Sequence, residues 1–314
     1  GTLALTANTT GSQNNAFGYQ ALTTNTTGGS NTAVGHASLY ANTTGTHNTA
    51  VGSNALDANT TASYNTAVGY QSLTGNTTGL LNVAVGFQAL DTNSTGSNNV
   101  AIGANALDGN TTANNNTAIG HHALLSNTTG HSNIAVGSNA LDANTTGNQS
   151  VAVGLGALGS NTTASANVAV GAGALQSVTT SADNVAMGRA ALSFNTAANN
   201  TGIGSLCLYL NTSGTENSAC GRGSLQSNTT GSSNTAMGSL SLHNNTTASN
   251  NTAVGKSALQ SNTTGTQNTA VGANALDANT TGLYNTAVGD QALSSITTGE
   301  RCTAVGRHSL ENNT

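Results

Sequence analysis

Few residues in this chain could do chemistry, so they are weighed first. His121 and His122 stand side by side with His131 close by, a set that could meet a metal ion. Adjacent residues on a strand diverge to opposite faces, so the spacing reads better as surface variation. Asp57, Asp91, Asp108, Asp142 and Asp277 share one position of a repeat, but only Asp91 and Asp108 fall in consecutive units. Calcium wants six to eight oxygen ligands, and one carboxylate per unit reads instead as a solvated group that discourages lateral aggregation. Cys207, Cys220 and Cys302 are too few to frame 314 residues with disulfides, and the first two occupy slots where small apolar residues recur. No Ser/His/Asp set recurs, and the paired acids of a glycosidase are missing. The sequence therefore assigns no catalytic, cofactor-binding or metal-binding residue, and the chain reads as a non-enzyme.

Two repeated polar motifs carry sharper possibilities. Asn-Thr-Thr and its variants match the N-glycosylation acceptor at Asn8, Asn25, Asn42, Asn59, Asn76, Asn93, Asn110, Asn127, Asn144, Asn161, Asn211, Asn228, Asn245, Asn262 and Asn279. One reading is a sugar-coated extracellular surface. The other is a turn and amide ladder that matches the motif because repetition copies one accident many times, and this second reading is preferred. Val178 and Ile296 replace the Asn in two units, which implies that the position is at least partly enclosed. Adjacent Thr residues in each unit would stack into rows, as on ice-binding surfaces, but neighbouring strand residues point to opposite sides and spoil the match.

Composition bounds the scaffold that must hold these residues. The chain is 36% hydrophobic, 5% charged and 3% aromatic, with 39 Gly, no Pro and no Trp. An ordinary domain is about 25% charged, so a conventional enzyme core is not expected. The formal net charge of -5, with Arg189, Arg222, Lys256, Arg301 and Arg307 scattered through the second half, gives no nucleic-acid footprint. No run approaches the ~18 apolar residues of a membrane span. Disorder fits poorly because the few bulky residues recur in phase.

That phase is a 17-residue repeat. Gly recurs every 17 residues from Gly1 to Gly188, one 16-residue step reaches Gly204, and the beat resumes to Gly306. Numbered from this Gly, the consensus is G-x-x-A-L-x-x-N-T-T-G-x-x-N-T-A-V. Position 5 is always Leu, position 16 is Ala except for Gly202, and position 17 is Val, Ile, Met, Phe or Cys. Positions 2, 3, 6, 7, 12 and 13 vary. The chain reads as a single tandem array over 1–314, with both ends falling inside the pattern of a longer array.

Seventeen residues are too few for a helical pair, and Gly, Asn and Thr are poor helix formers. The expected fold is all-β, a parallel β-solenoid of about 18 coils, with one strand through Asn-Thr-Ala-Val and a second through x-Ala-Leu. Leu22, Leu39 and Leu56 with Val34, Val51 and Val68 are expected to form interior columns. The opposite Ala face is then expected to lie outward, packed on another copy of the chain. Asn31, Asn48, Asn65 and Asn82 at position 14 are expected to form a hydrogen-bonded ladder along a corner.

The runs Asn31-Thr32-Ala33-Val34-Gly35 and Asn268-Thr269-Ala270-Val271-Gly272, each followed by Ala/Ser-Leu, resemble the head repeats of trimeric autotransporter adhesins (YadA-like). They also resemble repeats of phage tail-fibre-like proteins. The resemblance covers the whole chain and implies a left-handed β-roll, three chains around one axis, and a place on a cell surface, outside the cell or on a virion. Together these point to a structural fibre, either a shaft or an adhesin head, without catalysis. The alternative is a solenoid surface that recognises host glycan or ice. The partner is expected to be the chain itself, with host-surface glycan second, and neither nucleic acid nor membrane insertion is expected for this segment.

Overall fold

The computed structural model describes residues 1–313 and shows an all-β chain wound as a β-solenoid with one coil per 17-residue repeat. It divides into two compact units, Gly1–Gly156 with Ser160–Thr163, and Ala157–Gly159 with Ala164–Thr314. In the first unit, strands β1 (Asn15–Phe17), β2 (Thr32–Val34) and their successors recur once per coil as far as β9 (Val151–Val153). In the second, β10 (Val168–Val170), β11 (Val185–Met187), β12 (Thr201–Ile203) and β13 (Ser218–Cys220) lead on to β18 (Thr303–Val305). Within each unit neighbouring strands pair parallel and in register, so that Ala33 faces Ala50 in one and Ala253 faces Ala270 in the other.

Each coil has only one strand, three residues long. The expected second strand, x-Ala-Leu, is a chain of turns. Positions 3 and 5 both lie in the left-handed region, as at Ala37 (φ 52°) and Leu39 (φ 51°), and position 13 does too, as at His47 (φ 58°). Such conformations cost an L-residue about 1–2 kcal/mol each. They persist because they let the coil turn while its backbone still reaches its neighbours. Leu39 N–H donates to Ala55 O (3.0 Å), Ala41 to Asp57 O (2.8 Å) and Thr43 to Thr60 O (2.8 Å), all in the following coil. Gly35 donates to Phe17 O (2.7 Å) and His47 to Gly29 O (3.1 Å), both in the preceding one. Backbone polar groups are thus satisfied between coils even where no strand exists.

The invariant Gly of position 1 has two reasons to be glycine. At Gly35 φ is +134°, a region open to little else, and a Cβ would sit 2.4 Å from Gly52 O of the next coil. Any side chain there would push two coils apart.

The interior is the reverse of what side-chain size suggests. Leu22, Leu39 and Leu56 are fully buried, as expected, but Ala33 and Ala50 lie inside with them while Val34 (40% exposed) and Val51 (36%) face outward. Val68 is half-buried. Position 4 also points inward beside the Leu, as Ala21, Ser38 and Ala55 do, rather than opposing it. The reason is cross-section. One three-residue strand and tight turns leave room beside the Ala column for one large side chain per coil, and the Leu takes it, while the Asn of positions 8 and 14 fill the rest of the interior. At Gly202 an added Cβ would already lie 3.2 Å from Leu192 Cδ1, which measures how closely the Ala column sits on the Leu column. The invariance of Ala at position 16 therefore comes from interior crowding, not from a partner chain.

The 16-residue coil shows where the lap can be shortened. Asn195 Nδ2 donates to Ala197 O, two residues on, whereas other coils span three residues for the same bond, as from Asn211 to Gly214. The missing residue is the exposed Thr of position 10. The same coil carries Gly202 in place of the buried Ala of position 16, and the position-8 ladder runs on unbroken, Asn211 donating to Asn195 Oδ1 (2.7 Å).

Candidate functional site

Two amide ladders run through each unit. At position 14, Asn31 Oδ1 accepts the backbone N–H of Asn48 (2.9 Å), and Asn31 Nδ2 donates to Gly45 O (2.8 Å) in the same following coil. Asn48, Asn65 and Asn82 repeat this: each Oδ1 takes the next backbone N–H, and Nδ2 of Asn48 and Asn82 reaches Ala62 O and Gly96 O. All four are fully buried. Each is a staple between two backbones, which is why the row tolerates so little.

At position 8 the ladder is side chain to side chain. Asn42 Nδ2 donates to Asn25 Oδ1 (2.7 Å) and to Gly45 O of its own turn (3.1 Å), and Asn59 and Asn93 do likewise. This decides how the glycosylation-like motif is used. Of the fifteen Asn residues that carry it, all but Asn8 in the first coil are fully buried. An amide such as that of Asn42 has both protons committed, so the folded coil leaves no bond and no space for a sugar at Nδ2. Ile296 (1% exposed) and Val178 occupy the same enclosed slot. Beneath Ile296 the buried Asn279 Oδ1 has no hydrogen-bond partner, because the amide that would have served it is replaced by an aliphatic chain.

Threonine serves the same axial bonding. The Oγ1 of Thr26, Thr43 and Thr60 at position 9 donates to the position-9 carbonyl of the next coil (3.0, 3.0 and 3.2 Å). The Thr of position 10 is exposed, leaving a single column rather than a paired array.

The other candidates stay apart. Among the described residues no group of three His, Cys, Asp or Glu could hold a metal ion. His121 and His122 stack on each other (centroids 3.6 Å) without His131 joining them. Asp57, Asp91, Asp108 and Asp277 are half-buried, and burial pushes their carboxyls above the ordinary range; the charge of Asp108 adds to this at Asp91. Cys207 is buried against Ser224, with its thiol pushed up to about 11 by burial, far from a reactive thiolate. No helix among the described residues is long and apolar enough to cross a membrane.

What the sequence reading missed is the outward strand face. Positions 15 and 17 form two parallel columns, Thr32, Thr49 and Thr66 beside Val34, Val51 and Val68 in the first unit, and Thr252 and Thr269 beside Val254 and Val271 in the second. All five basic and all ten acidic residues lie elsewhere in the repeat. A shallow hollow interrupts the face at Thr201, Ile203, Ser218, Cys220 and Met237, where Ser and Cys are smaller than their neighbours. In comparison with known proteins, no protein-family model matches the chain and no curated protein aligns with it significantly.

Proposed function

We propose that this chain is a structural, self-associating repeat protein, a shaft or head segment of an extracellular or virion-associated fibre, with no catalytic step. The observation that carries the reading is the uncharged outward strand face. A half-exposed Thr/Val sheet face that never acquires a charge in eighteen strands is what a second copy of the same chain would select. Nine strands at ~4.8 Å spacing give a strip about 40 Å long per unit, and at roughly 10 Å width about 400 Å². A standard interface needs ~800 Å² per partner, so the strip of one unit alone supplies a weak contact. The adhesin-like resemblance adds the expectation of three copies.

Light scattering on the purified chain tests this. Trimeric mass is expected at micromolar concentration. Val34→Lys, Val51→Lys, Val254→Lys and Val271→Lys together are expected to yield monomers that keep the native β spectrum, because the four side chains lie on the outward strand face. A native chain that is monomeric at 100 µM, or a trimer that survives the four lysines, would end the proposal.

A further inference from the structure

The first unit carries most of the aromatic rings, and they are ordered. Position 2 reads Tyr19, His36, Ser53, Tyr70, Phe87, Ala104, His121 along consecutive coils. Tyr19 stacks on His36 (centroids 5.6 Å, planes 20° apart) and Tyr70 on Phe87 (5.7 Å, 12°). Between the two stacks the column drops to a serine, which leaves Ser53 with an exposed ring one coil to either side, His36 before it and Tyr70 after. All four rings are exposed to solvent. The floor is polar: Ser53 Oγ donates to Asn54 Oδ1 (3.2 Å), and His36 Nδ1 lies 3.4 Å from the same oxygen.

Distance selects the occupant. Two coil rises separate His36 from Tyr70, about 9.6 Å at ordinary strand spacing. A flat aromatic guest touching both rings at 3.5–4.0 Å needs them only ~7–8 Å apart and would rattle. A puckered pyranose, thicker by its axial hydrogens, fills the gap while its hydroxyls meet Ser53 and Asn54. Charge selects further, because the first unit contains Asp57, Asp91, Asp108 and Asp142 and no Lys or Arg, a field that repels anionic sugars. We infer that the His36–Ser53–Tyr70 slot is a binding site for a neutral glycan, one pyranose ring held between the two aromatic faces. The slot uses positions 2 and 3 and does not depend on self-association through positions 15 and 17.

The test is saturation-transfer NMR and calorimetry with three probes on the full chain: maltohexaose and chitohexaose as neutral glycans, and an oligosialic acid as the anionic one. At least one neutral probe is expected to bind with millimolar affinity and the anionic probe not at all. Tyr70→Ala is expected to weaken binding at least tenfold. Ser53→Tyr, which continues a stack the neighbouring coils already tolerate, is expected to do the same without lowering the melting temperature. Tyr64→Ala, in the separate His47–Tyr64 stack at position 13, is expected to leave binding unchanged. Absence of binding to both neutral probes at 10 mM, preference for the anionic one, or binding that survives Ser53→Tyr would overturn the assignment.

Discussion

In every strand but β12 an alanine sits next to a larger residue, most often valine, and the two meet opposite fates. Ala118 is wholly buried against the Leu column, whereas its neighbour Ile119 is 38% exposed. The buried column holds Ala and, once, Gly; the outward column accepts Phe17, Ile102, Met187 and Cys220 in the same role. Constancy of size marks the inside of this solenoid and variety of size marks the outside. Hydrophobicity alone points the wrong way, because the larger apolar residue is on the wet face. The lesson is that a narrow coil is limited by volume before it is limited by the gain from burying each methyl group.

The sharpest way to break the comparison is to exchange the two roles in one coil. Ala118→Leu forces extra carbons into a filled interior and is expected to cost about 3 kcal/mol or more, since the coils on both sides must move. Ile119→Ala is expected to cost under about 1 kcal/mol, as for other surface changes. Denaturation followed by circular dichroism compares them. Similar costs for the two would mean that the interior is not the crowded side.

The same contrast separates Asn from Thr in the corner. Asn110 donates to Asn93 Oδ1 (2.8 Å) and Ala113 O (3.2 Å) and accepts from Asn127 (3.1 Å), whereas Thr112 at position 10 is exposed. Asn110→Val strands several buried polar groups at once, and about 2 kcal/mol is expected, each orphaned group costing on the order of 1–3. Deleting Thr112 reproduces the length of the natural short coil and is expected to shift stability by less than about 1 kcal/mol. Equal losses from the two changes would show that the ladder contributes nothing beyond the turn.

Part of this was legible in the residues. The period, the parallel stacking, the Leu column and the position-14 ladder all follow from spacing, because register in a solenoid is the repeat itself. Alternation told that Ala and Val oppose each other, but not which lies inside. The mixed occupants of position 17 held that answer, since a packed column does not exchange Val for Phe. The false second strand also had a visible counter-signal. Positions 3, 5 and 13 never contain Val, Ile or Thr, the residues that strands favour and the left-handed region excludes. The aromatic slot was out of reach, because it depends on which exposed columns keep their rings parallel.

Between inside and outside lies position 6, and its carboxylates sharpen the boundary most gently. Burial raises the carboxyls of Asp57, Asp91, Asp108 and Asp277 above their unfolded values, so protons bind the folded coil more tightly than the unfolded chain. That stabilisation is complete below the unfolded value near pH 4 and is lost as pH rises through the higher folded value. The chain is therefore expected to melt higher at about pH 3.5 than at pH 7, the opposite of proteins held together by ionised carboxylates. With about half of each group in solvent, screening keeps the summed effect below about 1 kcal/mol. Replacing the four with Asn is expected to flatten the profile between these two pH values. A melting temperature that falls on acidification in the native chain and is unchanged by the four substitutions would place these side chains on the wet side of the boundary.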